Sequence, residues 1–296
     1  MNWITENAGV LLNGVAMGLL LFMMCVGLTV IFGLLDVLNL AHGAFFLTGA
    51  YIGYRIGGEV SATWSSFLGA LLVSLILGAL VGIALMVATA PLVARGHLDQ
   101  ALLTLGVALV ISELLLLVFG KDDYSVAAPG SLAGSTQIFG NAYPVYRLAV
   151  IALGAIVAAG VWYLLERTSA GAMVRATVAD RQMVEAVGID VRKVVLVTFT
   201  ASSALAVAGG TLAGPVMGAT QGLGDQILLL ALVVIVVGGL GSVLGTLLAS
   251  LLIGLVQNLG VLLAPELASF VMFGAMVLVL TFRPQGLIPS AAVVSR

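Results

Sequence analysis

The feature that most constrains this chain is a series of long stretches without a single Asp, Glu, Lys or Arg. They run from Val10 to Ile31, Leu38 to Tyr54, Ala62 to Ala94, Leu148 to Leu165, Val194 to Gly224, Gln226 to Pro265 and Leu267 to Phe282, while Ala101 to Phe119 carries only Glu113. Crossing about 30 Å of hydrocarbon takes roughly 20 helical residues at about 1.5 Å each. The stretch from Gln226 to Pro265 is too long for one straight crossing, and Gly238-Gly239-Leu240-Gly241-Ser242 is a natural break within it. The expectation is an all-α polytopic transmembrane helix bundle of about nine spans, forming one domain over residues 1–296.

Helices rather than a barrel follow because the apolar runs are continuous, without the two-residue alternation of outer-membrane strands. Only 8% of the 296 residues are charged, against about 25% in soluble domains, too few to cover a water-soluble surface. Glycine pairs four apart (Gly14 with Gly18, Gly49 with Gly53, Gly78 with Gly82, Gly210 with Gly214) would let helix backbones approach closely. Cys25, the single cysteine, excludes an intrachain disulfide and a cysteine-based metal site. No Lys or Arg precedes the first apolar stretch after Met1-Asn2-Trp3, so that span is expected to be retained rather than cleaved as a signal peptide. A net charge of -2 with no long charged run points to lipid and other proteins as partners, and to no nucleic acid.

Orientation follows from the Lys and Arg bias of the short loops. With the N-terminus outside and the C-terminus inside, Arg95, Arg167, Arg175, Arg181, Arg192, Lys193, Arg283 and Arg296 lie inside, and only Arg55, Lys121 and Arg147 outside. The chain is therefore expected to be a multi-pass membrane protein with its N-terminus outside and its C-terminus inside, which in a bacterial inner membrane are the periplasmic and cytoplasmic sides. Residues 120–146 form a periplasmic loop that either caps the bundle or meets a partner, or is a plain connector. Residues 167–193 form a cytoplasmic loop holding five of the eight basic residues placed inside.

No catalytic constellation emerges, and no enzyme is expected. His42 and His97 have no Cys, Asp, Glu or second His at metal-ligand spacing, so no metal site is expected, and a G-x-x-x-x-G-K-[ST] phosphate loop is absent. Asn39 and His42 open an apolar span beside Gly43, which suits either a broken helix whose freed backbone groups line a translocation path or hydrogen bonds to a neighbouring helix. Glu113 lies near mid-depth, where a lone acid is costly. It either belongs to the path, as the carrier of an ion-coupled secondary transporter would, or bonds another helix. Gln257 and Asn258 form another polar pair, better suited to helix packing.

The inner loop reads Gly171-Ala172-Met173-Val174-Arg175-Ala176-Thr177-Val178-Ala179-Asp180-Arg181-Gln182-Met183-Val184-Glu185-Ala186-Val187-Gly188-Ile189-Asp190. Asp180 is a good N-cap, Ala179, Met183, Ala186 and Val187 share a helical spacing, and Gly188 suits a left-handed terminating residue. The spacing predicts a short amphipathic helix that either lies on lipid headgroups or fits a groove on a soluble partner.

This order of a small residue, Asp, Glu-Ala and Gly-Ile-Asp resembles the coupling loop of ABC importer permeases. More narrowly, the chain resembles the branched-chain amino acid permease family along nearly its whole length. The resemblance is carried by Gly27-Leu28-Thr29-Val30-Ile31-Phe32-Gly33, Leu38-Asn39-Leu40-Ala41-His42-Gly43-Ala44, Gly49-Ala50-Tyr51, Gly238-Gly239-Leu240-Gly241-Ser242 and Arg283-Pro284-Gln285-Gly286-Leu287. It departs at Ala44, where many relatives carry an acid. The resemblance implies an importer permease moving branched-chain or other hydrophobic amino acids by alternating access, although the family also includes relatives for urea, amides and other small acids. It further implies a second homologous permease subunit, two cytoplasmic ATP-binding subunits that hold ATP and magnesium, and a periplasmic substrate-binding protein, with no cofactor in this chain. Arg175, Ala179, Asp180, Met183, Glu185, Ala186, Gly188 and Ile189 would then sit in a cleft of the ATPase and transmit its closure.

Overall fold

A computed structural model describes residues 7–35, 39–92, 96–138, 140–263 and 265–288. Met1 to Glu6, Leu38, Ala94, Arg95 and Arg296, used in the span, N-terminal and charge readings, lie outside the described residues. The described residues form eleven α-helices and one small hairpin: α1 (Ala8–Leu35), α2 (His42–Gly57), α3 (Trp64–Thr89), α4 (His97–Phe119), β1 (Ser135–Ile138), β2 (Asn141–Pro144), α5 (Val145–Arg167), α6 (Ser169–Ala179), α7 (Arg181–Ala186), α8 (Val191–Met217), α9 (Leu223–Gly238), α10 (Val243–Leu263) and α11 (Ala268–Phe282).

Each of the nine expected spans corresponds to one helix. Six of these (in α1, α3, α4, α5, α8 and α10) are long and apolar enough to cross a bilayer. At 16, 16 and 15 residues, α2, α9 and α11 reach only about 22–24 Å at 1.5 Å per residue, so length alone supports six crossings rather than nine. The break within Gln226 to Pro265 falls where expected. α9 stops at Gly238, and Gly239 and Gly241 turn the chain with φ of 101° and 78°. The earlier boundary moves: α8 ends at Met217 and α9 already begins at Leu223, so Asp225 lies in the first turn of α9 instead of separating two spans.

α8 occupies the centre, packed by α1, α2 and α3. It can do so because its Ala- and Gly-rich stretch from Ala201 to Gly214 lets neighbouring backbones come close. All four glycine pairs lie at helix crossings. A Cβ on Gly14 or Gly18 would stand 2.9 and 2.8 Å from the Leu255 and Leu251 Cα atoms of α10, and one on Gly78 2.7 Å from the Ala204 Cα of α8. Gly49 and Gly210 would run into the carbonyls of Val207 and Phe46, while Gly53 and Gly214 face Thr211 and Val126. Buried hydroxyls lock the same crossings. Thr211 donates to the Gly49 carbonyl (2.8 Å), leaving Ser74 to donate to Thr211 (2.6 Å), which ties α2, α3 and α8 together. Thr29 and Thr246 bond at 2.8 Å between α1 and α10.

The bundle has two distinct ends. At one, Gly33 lies against Gly241 and Val178, and the backbones of Leu287 and Ile288 donate to Val237 and Gly238, folding the Arg283-Pro284-Gln285-Gly286-Leu287 motif back onto the end of α9. This end carries α6, α7 and the basic residues Arg175, Arg181, Arg192 and Lys193. At the far end, residues 120–146 close over the helices: Tyr124 exchanges backbone bonds with Ala219, Ala127 donates to Gly58 and Gly130 to Ala62, and the β1–β2 hairpin leads into α5. The segment therefore packs onto the end of the bundle rather than standing clear of it as a plain connector. The outward faces of α3, α4, α5 and α11 stay apolar and exposed, as in Leu72, Leu109, Ile156 and Val277, a surface suited to lipid.

Candidate functional site

The interior carries a helix discontinuity. Asn39 accepts from the Ala41 backbone through Oδ1 (3.1 Å), the His42 N–H bonds the Asn39 carbonyl (3.2 Å), and Leu40 N–H donates to Thr104 of α4 (3.2 Å). These bonds turn the chain into α2, whose first turn receives no side-chain cap. The turn lies deep in the bundle, because the buried His42 ring faces the backbone of Met24, in the middle of α1. It completes no hydrogen bond there: neither ring nitrogen of His42, nor Nδ2 of Asn39, has a partner among the described residues. The start of α9, also uncapped by a side chain, meets this point, since Gly43 and Gly224 touch backbone to backbone. Two helix N-termini, with their unpaired N–H groups and positive dipole ends, therefore converge inside the bundle beside two buried polar side chains.

Asn39, His42 and Gly43 are thus brought together, as a broken helix requires. Glu113 is not with them. It stands on the exposed face of α4, about two and a half turns beyond Thr104.

At the basic end, the loop read as holding one short helix holds two. α6 is capped by Thr168, which accepts from Gly171 (3.2 Å), and α7 by Asp180, whose carboxylate accepts from the Met183 N–H (2.9 Å). Gly188 ends the turn at φ 86°, the left-handed geometry its position suggested. The apolar face read from the sequence is not the one the bundle takes. Val184 is the α7 residue that enters the core, beside Val191 and Val195 of α8, with Ile189 packed partly behind it. Met183 and Val187 are 62% and 68% exposed, and Ala179 and Ala186 are exposed as well. Periodicity grouped Met183 and Val187 correctly as one face but could not tell which face the bundle takes. Charge flanks this exposed apolar patch: Arg181 pairs with Glu185 at 3.1 Å, and Arg175 lies 3.7 Å from Glu166. Lys193 bonds Asp190, which holds that carboxyl below the usual range.

The far end has a feature that sequence reasoning missed. A cavity of about 580 Å³ opens between α1, α5, α8 and α10, lined by Asn13, Met17, Arg147, Val216, Gln257 and Asn258 among others. The signal available in the sequence was the pairing of an outer-side arginine with an amide pair at the matching depth of another span, but no periodicity links positions so far apart.

Half-length helices that meet inside an apolar bundle, with short helices exposed at one end, define a membrane permease. The chain belongs to the branched-chain amino acid transport system / permease component family, whose model matches residues 10–280. It is 24% identical to the high-affinity branched-chain amino acid transport system permease protein BraD of Pseudomonas aeruginosa, over 94% of each chain. It is 23% identical to the corresponding permease protein LivH of Escherichia coli, over 93% of each. A more distant likeness is to the ribose import permease protein RbsC of Escherichia coli, 26% identical over 79% of this chain and 72% of that one. No solved structure matches the chain.

Proposed function

We propose that this multi-pass membrane protein is the permease subunit of an ATP-driven bacterial importer, moving branched-chain or other hydrophobic amino acids inward by alternating access. The observation that carries the reading, given the family, is the α7 surface. Val184 roots the helix in the bundle against α8, while Met183, Ala186 and Val187 present an apolar face to the aqueous side. An apolar face so rooted suits a groove on a soluble partner, and a push on it reaches α8 directly through Val184, Val191 and Val195. ATP and magnesium belong to two partner ATPases on this side, which is the cytoplasmic side of an inner membrane. The N-terminus and the 120–146 segment then face the periplasm and a substrate-binding protein. A second homologous permease completes the path.

Within the chain, the junction of α2 and α9 supports a place on that path. Uncapped helix N-termini and unpartnered polar atoms, otherwise costly in an apolar interior, are what a moving zwitterion can pair with transiently. A tagged chain is expected to co-purify with two nucleotide-binding subunits and a second permease, and the reconstituted assembly to take up labelled leucine only with ATP and the binding protein. Uptake by the chain alone under an ion gradient would overturn the reading.

A further inference from the structure

The far-end cavity joins three kinds of group that one small molecule would need together. The first is a cation with no fixed counter-charge. Arg147, at the start of α5, is half-buried and bonds Asn13 of α1 through one guanidinium nitrogen, and among the described residues no ion pair includes it. A guanidinium has five N–H donors in a planar fork, so most remain to be directed into the cavity. The second is an amide: Gln257 of α10 lines the cavity, and its Oε1, buried without a hydrogen-bond partner among the described residues, would be turned toward a ligand by rotation of the amide. The third is an apolar wall from Met17, Val216 and Leu262. At about 580 Å³ the space is ample for one amino acid with some of its water.

We propose that this cavity is an entry subsite for an amphipathic α-amino acid, with Arg147 receiving its carboxylate, Gln257 Oε1 its ammonium, and the Met17–Val216–Leu262 wall its side chain. The inference rests on the amino-acid import reading. It adds a specific point of recognition in the permease itself, at the mouth that faces the binding protein. The arrangement requires the carboxylate. A planar bidentate acceptor is what the guanidinium fork selects, so an amino alcohol of the same side chain lacks the main contact. Because Arg147 and Gln257 sit on different helices, bound ligand also bridges α5 to α10 at the far end, where an importer must close behind its cargo.

The test uses the complete importer in nanodiscs, with a Val261→Cys reporter on the exposed edge of the cavity and Cys25 replaced by Ala. Alkylation of the reporter is followed in millimolar L-leucine or in L-leucinol, which lacks the carboxylate. Leucine is expected to slow labelling at least threefold and leucinol to leave it unchanged; Arg147→Gln is expected to abolish protection and Arg147→Lys to retain part of it. Equal protection by both ligands, no protection by leucine, or protection that survives Arg147→Gln would overturn the subsite. Should Arg147→Gln fail to fold, the leucine–leucinol comparison on the Arg147 background decides alone. Leucine uptake by the same reporter assembly separates the two levels: uptake without protection removes the subsite and leaves the import reading standing, whereas an assembly that takes up no leucine removes both.

Discussion

Gly43 and Gly224 lie backbone to backbone: a Cβ on Gly224 would stand 3.0 Å from the Gly43 carbonyl oxygen, and one on Gly43 would stand 2.8 Å from the Leu228 Cβ and run into the Gly224 carbonyl. The two half-length helices can converge only because neither residue has a side chain. Overpacking a tight contact costs about 1–3 kcal/mol. Gly43→Val is therefore expected to lower thermal stability in detergent by that order and to stop uptake, because the start of α2 must move away from α9. Unchanged melting and transport would mean that the junction is looser than described.

The opposite outcome is expected at His42. Among the described residues its ring nitrogens are buried without partners, and leaving a buried polar group unsatisfied costs about 1–3 kcal/mol. His42→Phe should fold at least as stably as the parent, judged by melting in the same detergent, while leucine uptake falls at least tenfold. A variant that loses stability and transport together would instead identify His42 as a packing residue.

Coupling is tested by Glu185→Arg and Gly188→Val. The first breaks the ion pair with Arg181 and reverses the charge beside the exposed α7 face. The second forces a β-branched residue to φ 86°, a left-handed conformation that costs about 1–2 kcal/mol. Both variants should insert and melt nearly as the parent does. Neither should support ATP-driven uptake, and co-purification of the ATPases should weaken. Full uptake by either would count against α7 as the contact.

A further expectation concerns pH at the corner between α7 and α8. Asp190 caps α8 by accepting from Lys193 N–H, and the Lys193 side chain lies 3.3 Å from it. The side-chain bond, followed by the backbone bond, holds the carboxyl below its ordinary value. A depressed folded pKa contributes stability above the unfolded value and loses it as pH falls through the folded one. Hydrogen-exchange protection of the first turn of α8 should thus hold from pH 7 to 5 and decline only below about pH 4, the ordinary carboxylate range. In Asp190→Ala that protection should be low at every pH.

The apolar character of the helices, the turn at Gly238 to Ser242, the Asp180 cap and the left-handed Gly188 were all legible in the sequence. Each depends on hydropathy or on backbone chemistry within a few residues, and in lipid a helix satisfies its polar backbone locally. Even the glycine pairs were legible as crossing points, although not their partners. What only the tertiary structure decided are relations between distant positions: Gly43 against Gly224, Arg147 and Asn13 beside Gln257, Leu287 bonded back to Val237, and Glu113 turned outward away from Asn39 and His42. The side of α7 that enters the core belongs with these. Val184, not Met183 or Val187, is the one buried, because the path of the chain from α6 to α8 sets the roll of so short a helix. Hydrophobicity determines that a segment enters the membrane, but it is non-directional. Which faces meet is chosen by packing among small residues and by the few buried hydrogen bonds, which no single segment encodes.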